Sequence, residues 1–325
     1  MIRDGTIIVS DLHVDTWTDR KLGTGKTKRD HFFHFLDRCE KVGIRELVLN
    51  GDLMDLPPWE GQESFREGPS IARDTVERLV ELSSRIQITY VPGNHDIGIS
   101  GFRCMGQYSI RSLRNVNVCY PAYVINEYPE STVLIEHGHF CDPAIMLYVR
   151  DLANRTYRAS EFERFHWAMQ RRYAPTRSAL TPIATEPGKN AYYEARKVKQ
   201  TPDARGLWPK LWEWIKSRGG RAIAPLTAEW WSHAAMEGMT RYIETERSQG
   251  RKPKPRLYQI YGHTHRVDPC DPVVRDGVSC TYINAGTWAE QVDQGWYVDI
   301  RPDDGTAWLQ DWINEPVRLR RLGGP

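Results

Sequence analysis

Short apolar runs alternate with longer segments of helical period in the first part of the chain. Thr6–Ser10, Glu46–Asn50 and Ile86–Val91 are rich in β-branched residues, and each ends at a polar or Gly/Pro-containing turn, as buried strands do. Between them, residues 30–43 and 70–84 repeat apolar side chains at three- and four-residue spacing, which is typical of amphipathic helices. This order predicts a β-α-β-α-β unit with a parallel sheet.

Further strand-like runs follow, and the last of them come close to the end of the chain. They are Val116–Val118, Ala122–Asn126, Thr132–Glu136, Leu257–Tyr261, Tyr282–Asn284, Trp296–Ile300 and Ala307–Leu309. Since the later runs suit a second sheet, we predict an α/β fold in the form of a four-layer α/β/β/α sandwich.

The hydrophobic pattern changes to a helical period after Asp142. Candidate helices cover 144–156, 160–173, 206–218 and 226–248, and a Pro- and Lys-rich stretch ends the region at Pro255. We therefore expect a catalytic domain of residues 1–142 and 256–325, with a helical insertion, or cap, at 143–255. Residues 207–216 predict an amphipathic basic helix, which fits a subdomain core best; an acyl pocket, a nucleobase stack and peripheral membrane contact are alternatives.

Composition narrows the class of protein. The chain has 325 residues and no apolar run of the ~18 to 20 residues that a membrane span needs, and it begins directly with a strand-like run, so a cytoplasmic location is expected. Its six cysteines form no CxxC pair, which favours neither a disulfide framework nor a zinc ribbon.

Positive charge is concentrated in the predicted insertion. Residues 150–255 carry 21 Lys and Arg against 11 Asp and Glu, whereas the whole chain carries 44 and 42. A basic insertion would attract an anionic partner.

Metal-ligating side chains follow five of the predicted strands. Asp, Asn and His recur at these strand ends, in D-x-H, G-D, G-N-H-D, H-G-H and G-H-T-H; the candidate residues are Asp11, His13, Asp52, Asn94, His95, Asp96, His137, His263 and His265. Ligands bind at the carboxyl ends of strands in open α/β sheets. Such oxygen and nitrogen donors suit borderline divalent metals; Mn²⁺ is the expected ion, with Fe, Zn, Co or Ni as alternatives.

In this order the blocks resemble the calcineurin-like metallophosphoesterase superfamily, over roughly residues 5–142 and 256–300. The resemblance implies two metal ions. Asp11, His13, Asp52 and His265 would hold the first, and Asn94, His137 and His263 would hold the second, with Asp52 bridging them. It also implies that His95 meets the substrate phosphate or the leaving group and that Asp96 orients the His95 imidazole. A metal-bound hydroxide would then attack phosphorus in line.

Several features indicate the branch of this superfamily. Gly51-Asp52 is not followed by the D-R-G of protein Ser/Thr phosphatases. Gly51-Asp-Leu-Met-Asp55 and Asn284-Ala-Gly-Thr-Trp288 look more like the UDP-2,3-diacylglucosamine pyrophosphatase branch. This chain departs from that branch at His95, where Arg is common, and at His139, where Asp is common.

The expected function is hydrolysis of a phosphodiester or pyrophosphate bond in a nucleotide or nucleotide-linked substrate. A nuclease acting on single-stranded nucleic acid is the alternative enzyme, because the insertion is basic and aromatic. A non-catalytic metal-binding scaffold is the alternative from another class. The stretch Gly23-Thr-Gly-Lys-Thr27 lacks the remaining glycine of a phosphate-binding loop, so we predict a flexible basic loop near the site. The sequence does not indicate the oligomeric state.

Overall fold

Two β-sheets dominate the part of the chain that the computed structural model describes. That part comprises residues 4–54, 70–93, 116–119, 122–141, 227–289, 293–314 and 320–322. The chain divides into two compact units, of which the first contains Met1–Gly138 and Ile243–Pro325 and the second contains His139–Tyr242. Both sheets belong to the first unit.

The first sheet has seven strands in the order β13-β12-β11-β1-β2-β3-β4. Their bounds are β1 Thr6–Val9, β2 Glu46–Asn50, β3 Gln87–Val91, β4 Val116–Val118, β11 Trp296–Ile300, β12 Ala307–Asp311 and β13 Arg320–Leu322. Strands β1 to β4 pair in parallel, and β11 joins β1 antiparallel. The carboxyl ends of β1, β2 and β3 therefore meet at one edge.

Helices α1, Lys28–Val42, and α2, Ser70–Leu82, connect the parallel strands. Helix α1 begins with a capping box, in which Thr27 accepts from the backbone of Asp30 and the Asp30 carboxylate accepts from the backbone of Thr27. The helix ends at Gly43, whose φ of 69° is left-handed. Because α1 runs back against β1, its first turn lies at the edge where β1 ends.

The second sheet has the order β5-β6-β7-β10-β8, and β9 also pairs with β10. Its strands are β5 Ala122–Ile125, β6 Ser131–Glu136, β7 Arg256–Tyr261, β8 Val267–Pro269, β9 Val273–Arg275 and β10 Val278–Ala285. Strands β6, β7 and β10 are parallel, and the remaining pairs are antiparallel. The carboxyl ends of β6 and β7 thus also share an edge.

Two hydrophobic cores organise these layers. One contains α1 side chains such as Phe32 and Phe35 together with Ile7 of the first sheet. The other joins the two sheets, with Ile8 from the first sheet and Ile135 from the second among its members. A layer of helices on a sheet that packs on another sheet is the mixed α/β architecture that the sequence predicts, and this class is confirmed. Strands β8, β9 and β13 were not predicted.

Much of the predicted insertion falls outside the described residues. Its candidate helices at 144–156, 160–173 and 206–218 all lie there. Helix α3 is described at Thr227–Ser248, close to the predicted 226–248. None of the helices described is both long and apolar enough to cross a bilayer.

Candidate metal centre

Six of the seven predicted metal ligands lie in the described part of the chain, and the fold brings them together. The side-chain donor atoms of Asp11, His13, Asp52 and His265 all lie within 4.8 Å of one another. A second group, Asp52, His137 and His263, meets the same limit, so Asp52 belongs to both. The structure therefore contains two adjoining clusters of nitrogen and oxygen donors with one shared carboxylate.

In the first cluster, imidazole nitrogens face each other and the carboxylates. Nε2 of His13 lies 3.1 Å from Nε2 of His265. Nε2 of His265 lies 3.2 Å from Oδ1 of Asp11, and Nε2 of His13 lies 3.9 Å from Oδ2 of Asp52. Converging lone pairs of this kind are what a divalent cation with N/O ligands requires.

In the second cluster, the hydrogen bonds of His137 orient its ring. Its Nδ1 lies 3.0 Å from the backbone oxygen of Asn50, which can only accept, so Nδ1 carries a proton. Its Nε2 then faces Oδ2 of Asp52 at 3.0 Å. A histidine that donates through one nitrogen to a carbonyl and presents the other to a carboxylate has the arrangement of a metal ligand.

The electrostatics of the two clusters also favour a cation. Burial by itself lowers the pKa of His137, but the carboxylates of Asp52 and Asp11 outweigh it and raise this pKa to about 10. Burial opposes the ionisation of Asp11, yet the charges of His137 and His265 keep the pKa of Asp11 below its usual value. Two buried carboxylates thus attract positive charge strongly at this point.

Three glycines lie so close to the ligands and their neighbours that no larger residue would fit. A Cβ on Gly51 would lie 2.1 Å from Nδ1 of His137, and one on Gly93 would lie 2.2 Å from Oδ1 of Asp52. A Cβ on Gly262 would lie 1.8 Å from Oγ of Ser10. Real Cβ atoms do not approach so closely, so the glycines of the G-D, G-N-H-D and G-H-T-H blocks are required by packing. The residues present fit two metal ions.

Five of the six described candidate ligands have left-handed backbone. The φ angles are 52° for Asp11, 46° for His13, 49° for Asp52, 68° for His263 and 57° for His265. Among the described residues, Asp276 is the one other non-glycine with positive φ. Residues in this region of φ/ψ space are strained by about 1–3 kcal/mol each and cluster at functional sites.

The loops that carry the ligands are bonded to one another. Asp11 donates its backbone N–H to the oxygen of Gly51 at 3.1 Å, and His13 donates to Asp52 at 3.0 Å. The backbone N–H of His263 donates to both carboxylate oxygens of Asp11, at 2.9 and 3.1 Å. The loops after β1, β2 and β7 are therefore held as one assembly.

Supporting residues that were not predicted as ligands complete this assembly. Asn284 donates to the oxygen of Gly262 at 2.7 Å and to Thr264 at 3.0 Å, which fixes the last loop. Thr287 donates to the backbone oxygen of Asp11 at 2.8 Å. These contacts explain the Asn284–Trp288 segment noted in the sequence. Ser10 and Asn50 were missed, although polar residues that end otherwise apolar strands are a usable signal.

Exposure shows which side of the clusters is open. Asp11, Asp52 and His137 are at most 1% exposed. The side chain of His265, by contrast, is 40% exposed. Among the described ligands, His265 in the loop after β7 is therefore the most exposed. The predicted residues Asn94, His95 and Asp96 lie outside the described residues.

A short basic hairpin, residues 20–27, lies at the same edge of the first sheet, between the end of β1 and the first turn of α1. Leu22 donates its backbone N–H to Lys26 and packs into the core. The backbones of Lys21 and Thr27 form an isolated antiparallel β-bridge. Nζ of Lys26 donates to Nδ1 of His34 at 3.0 Å. The sequence predicts a flexible basic loop at residues 23–27, and these contacts define a turn there.

Comparison with known proteins agrees with this geometry. The family model described as "Calcineurin-like phosphoesterase" matches residues 6–267. That span contains β1 and all six described ligands. No curated protein matches the chain.

The solved structures that match this chain are distant in sequence. A dimetal phosphatase from Danio rerio is 11% identical, with a TM-score of 0.43 and 98% of each chain covered. A conserved uncharacterised protein from Streptococcus pneumoniae TIGR4, described as a predicted phosphoesterase, is 11% identical, with a TM-score of 0.34, covering 98% of this chain and 95% of that one. The nuclease MPE from Pseudomonas putida is 15% identical, with a TM-score of 0.26, covering 39% and 52%. With scores below 0.5, these structures carry no argument about substrate.

Proposed function

Because this chain belongs to the calcineurin-like phosphoesterase family and is a metal-dependent phosphoesterase, we propose that it hydrolyses phosphodiester or pyrophosphate bonds in a nucleotide or nucleotide-linked substrate. The observation that carries the proposal is the pair of donor clusters that share Asp52. Two adjoining sites with one bridging carboxylate suit in-line displacement at phosphorus, which needs both the attacking and the leaving oxygen stabilised.

In this proposal Asp11, His13, Asp52 and His265 hold one cation, and Asp52, Asn94, His137 and His263 hold the other. Two divalent cations supply Lewis acidity toward the phosphoryl oxygens and activate water at neutral pH. The protein's share is to fix these ligands on bonded loops and to leave the His265 side open to substrate. His95 contacts the substrate phosphate or leaving group as a general acid, and Asp96 orients it.

The basic hairpin supports a substrate with more than one anionic group. Arg20 is paired with Asp293 at 2.6 Å, whereas Lys21 and Lys26 are exposed and have no carboxylate partner among the described residues. The hairpin that carries them connects the loop of Asp11 and His13 to α1. A second phosphate or a nucleotide phosphate would gain from this positive charge, and a monoester of a neutral alcohol would not.

We further propose that residues 143–255 form a helical cap that contributes to the choice of substrate. Residues 150–255 carry 21 basic and 11 acidic side chains, and this positive charge favours an anionic partner. The same charge motivates the second candidate, a nuclease acting on single-stranded nucleic acid, whose binding would weaken steeply with salt.

The proposal is tested by measuring turnover of a bis-aryl phosphate diester, its monoester, a nucleotide pyrophosphate and single-stranded DNA, with added Mn²⁺ and after chelation. Asp52→Asn is the test variant. Asp276→Asn is the matched control, because Asp276 is also an aspartate with left-handed backbone but lies in an exposed turn. We expect chelator-sensitive hydrolysis of the diester or pyrophosphate, lost in Asp52→Asn and kept in Asp276→Asn.

Other outcomes decide between the candidates. Cleavage of DNA that falls steeply with ionic strength would select the nuclease. If metal-loaded protein turned over none of the four substrates, the hydrolase proposal would be wrong, and a metal-binding scaffold would be the remaining function.

A further inference from the structure

Asn50 is a buried amide at the point where the two sheets meet. It is the last residue of β2 and is fully buried, and it immediately precedes Gly51-Asp52. Four apolar or charged strand residues come before it, so an amide here is not needed to form the strand. Its position between the strand and the shared carboxylate suggests a role in the site.

The Asn50 side chain and backbone contact β6 together. Nδ2 of Asn50 donates to the backbone oxygen of Glu136 at 3.1 Å. The backbone oxygen of Asn50 accepts from Nδ1 of His137 at 3.0 Å. Since β2 belongs to the first sheet and β6 to the second, this residue ties the two sheets at two consecutive positions.

The same carbonyl is shared with the other donor cluster. Oγ of Ser10 lies 2.6 Å from the backbone oxygen of Asn50 and 2.5 Å from Oδ2 of Asp11. Asn50 thus contacts the imidazole of the second cluster directly, and the Ser10 hydroxyl lies between it and the carboxylate of the first, donating its one proton to either oxygen. A displacement of Asn50 would therefore disturb the geometry of both clusters.

The ring of His137 has little freedom to compensate for such a displacement. Ideal Cβ positions on Gly51 and Gly93 fall 2.1 and 2.8 Å from its atoms, so both backbones lie against the ring. Its tautomer follows from the acceptor at Nδ1, because a backbone carbonyl cannot donate. The direction of Nε2 therefore depends on how the end of β6 is placed relative to the carbonyl of Asn50.

We propose that the side chain of Asn50 is a positioning residue for the two-cation site. By donating to Glu136 it holds the end of β6 where His137 can donate through Nδ1 and present Nε2 beside Asp52. Asn50 itself touches neither substrate nor cation. This inference rests on the proposed function, since it assumes that His137 binds a cation through Nε2.

The first experiment replaces the amide in two ways. Asn50→Leu keeps the approximate size of the side chain and removes the donor, and Asn50→Asp keeps the shape and adds a negative charge. The dissociation constant for Zn²⁺ is measured by calorimetric titration of the metal-free protein. Both variants keep the backbone carbonyl that accepts from His137 and remove the side-chain donor that places β6. Displacing the outer partner of a metal ligand should act like losing it, which weakens metal affinity about 10- to 100-fold, and we expect a loss of this order in both variants.

The two variants separate positioning from charge. If Asn50 acted through electrostatics, the added carboxylate of Asn50→Asp would tighten Zn²⁺ binding and Asn50→Leu would leave it unchanged. The matched control is Gln310→Leu, which removes another buried amide, one that donates to Asp299 at 3.3 Å on β11. Gln310→Leu should lower thermal stability and leave Zn²⁺ affinity as in the wild type.

A second measurement needs no folded variant of Asn50. In Zn²⁺-loaded wild-type protein with ¹⁵N-labelled histidine, the His137 signals, assigned by comparison with His137→Gln, should show a protonated Nδ1 and a metal-bound Nε2. A protonated Nε2 would overturn the inference. So would equal Zn²⁺ affinity in wild type and folded Asn50→Leu, with the proposed function intact. A wild-type protein that binds no cation would instead refute the proposed function.

Discussion

Replacement of Gly51 by alanine tests whether the packing around His137 governs activity. Gly51 has a φ of 81°, and an added Cβ would lie 2.1 Å from Nδ1 and 2.4 Å from Cγ of His137. Ordinary contact begins at 3.4 Å, so the ring would have to retreat by about 1.3 Å. Such a movement separates Nδ1 from the carbonyl of Asn50 and Nε2 from Asp52.

Two effects of different size follow from this substitution. An L-residue in the left-handed region costs about 1–2 kcal/mol of stability. A misplacement of about 1 Å in catalytic geometry costs on the order of 10²-fold in rate. We therefore expect Gly51→Ala to lose roughly 10²-fold in kcat/KM for the preferred substrate while its free energy of unfolding falls by a few kcal/mol at most.

Gly43→Ala is the control for the cost of left-handed backbone without a steric clash. Gly43 ends α1 with a φ of 69°, and a Cβ there would meet nothing within 4 Å. This variant should show a similar loss in urea-unfolding free energy with kcat/KM unchanged. If Gly51→Ala kept wild-type kcat/KM, or if Gly43→Ala lost as much activity, the steric argument about His137 would be wrong.

Four further predictions concern charge, the helix cap, the pH dependence of stability and metal removal. Lys21→Ala/Lys26→Ala should raise KM for a nucleotide pyrophosphate and not for a bis-aryl diester, whereas Lys41→Ala, at the far end of α1, should change neither in steady-state assays. Thr27→Ala should cost about 1 kcal/mol in chemical unfolding. The hydrogen bonds with Thr27 hold the pKa of Asp30 below its usual 3.8. The wild type should therefore have a larger free energy of unfolding than Asp30→Asn at neutral pH, and this difference should disappear as the pH falls below about 3.8. Chelation should lower the melting temperature, since free ion at a hundredfold excess over Kd stabilises by about 2.7 kcal/mol per site.

The spacing of hydrophobic residues along the chain was sufficient to predict most strands of the two sheets. Strand Trp296–Ile300 has the predicted bounds, because apolar and β-branched residues fill a strand between clear turns. Strand β9 was missed since its residues are all exposed and present no buried face. The turn Asp276-Gly277, with φ of 51° and 79°, was a hairpin signal that could have located it.

The ligand residues could be predicted because each follows a strand in a short block of defined type. Their assignment to two metal positions came from the family resemblance, because residue spacing alone does not bring together His13 and His265, which are 252 positions apart. Asn50 and Ser10 were missed for a similar reason. Neither residue belongs to one of the five blocks, and the contacts from Ser10 to Asn50 and from Asn50 to Glu136 join different strands.

The left-handed backbone of the ligands opposes the stability of the fold. Asp52 holds a φ of 49°, which glycine would adopt without strain, and its carboxylate is buried among other charges. A ligand-to-glycine substitution such as Asp52→Gly would relieve the backbone strain in the metal-free protein. Natural selection for a more stable chain would therefore remove these residues, and their presence marks a trade-off in which stability is given up for activity.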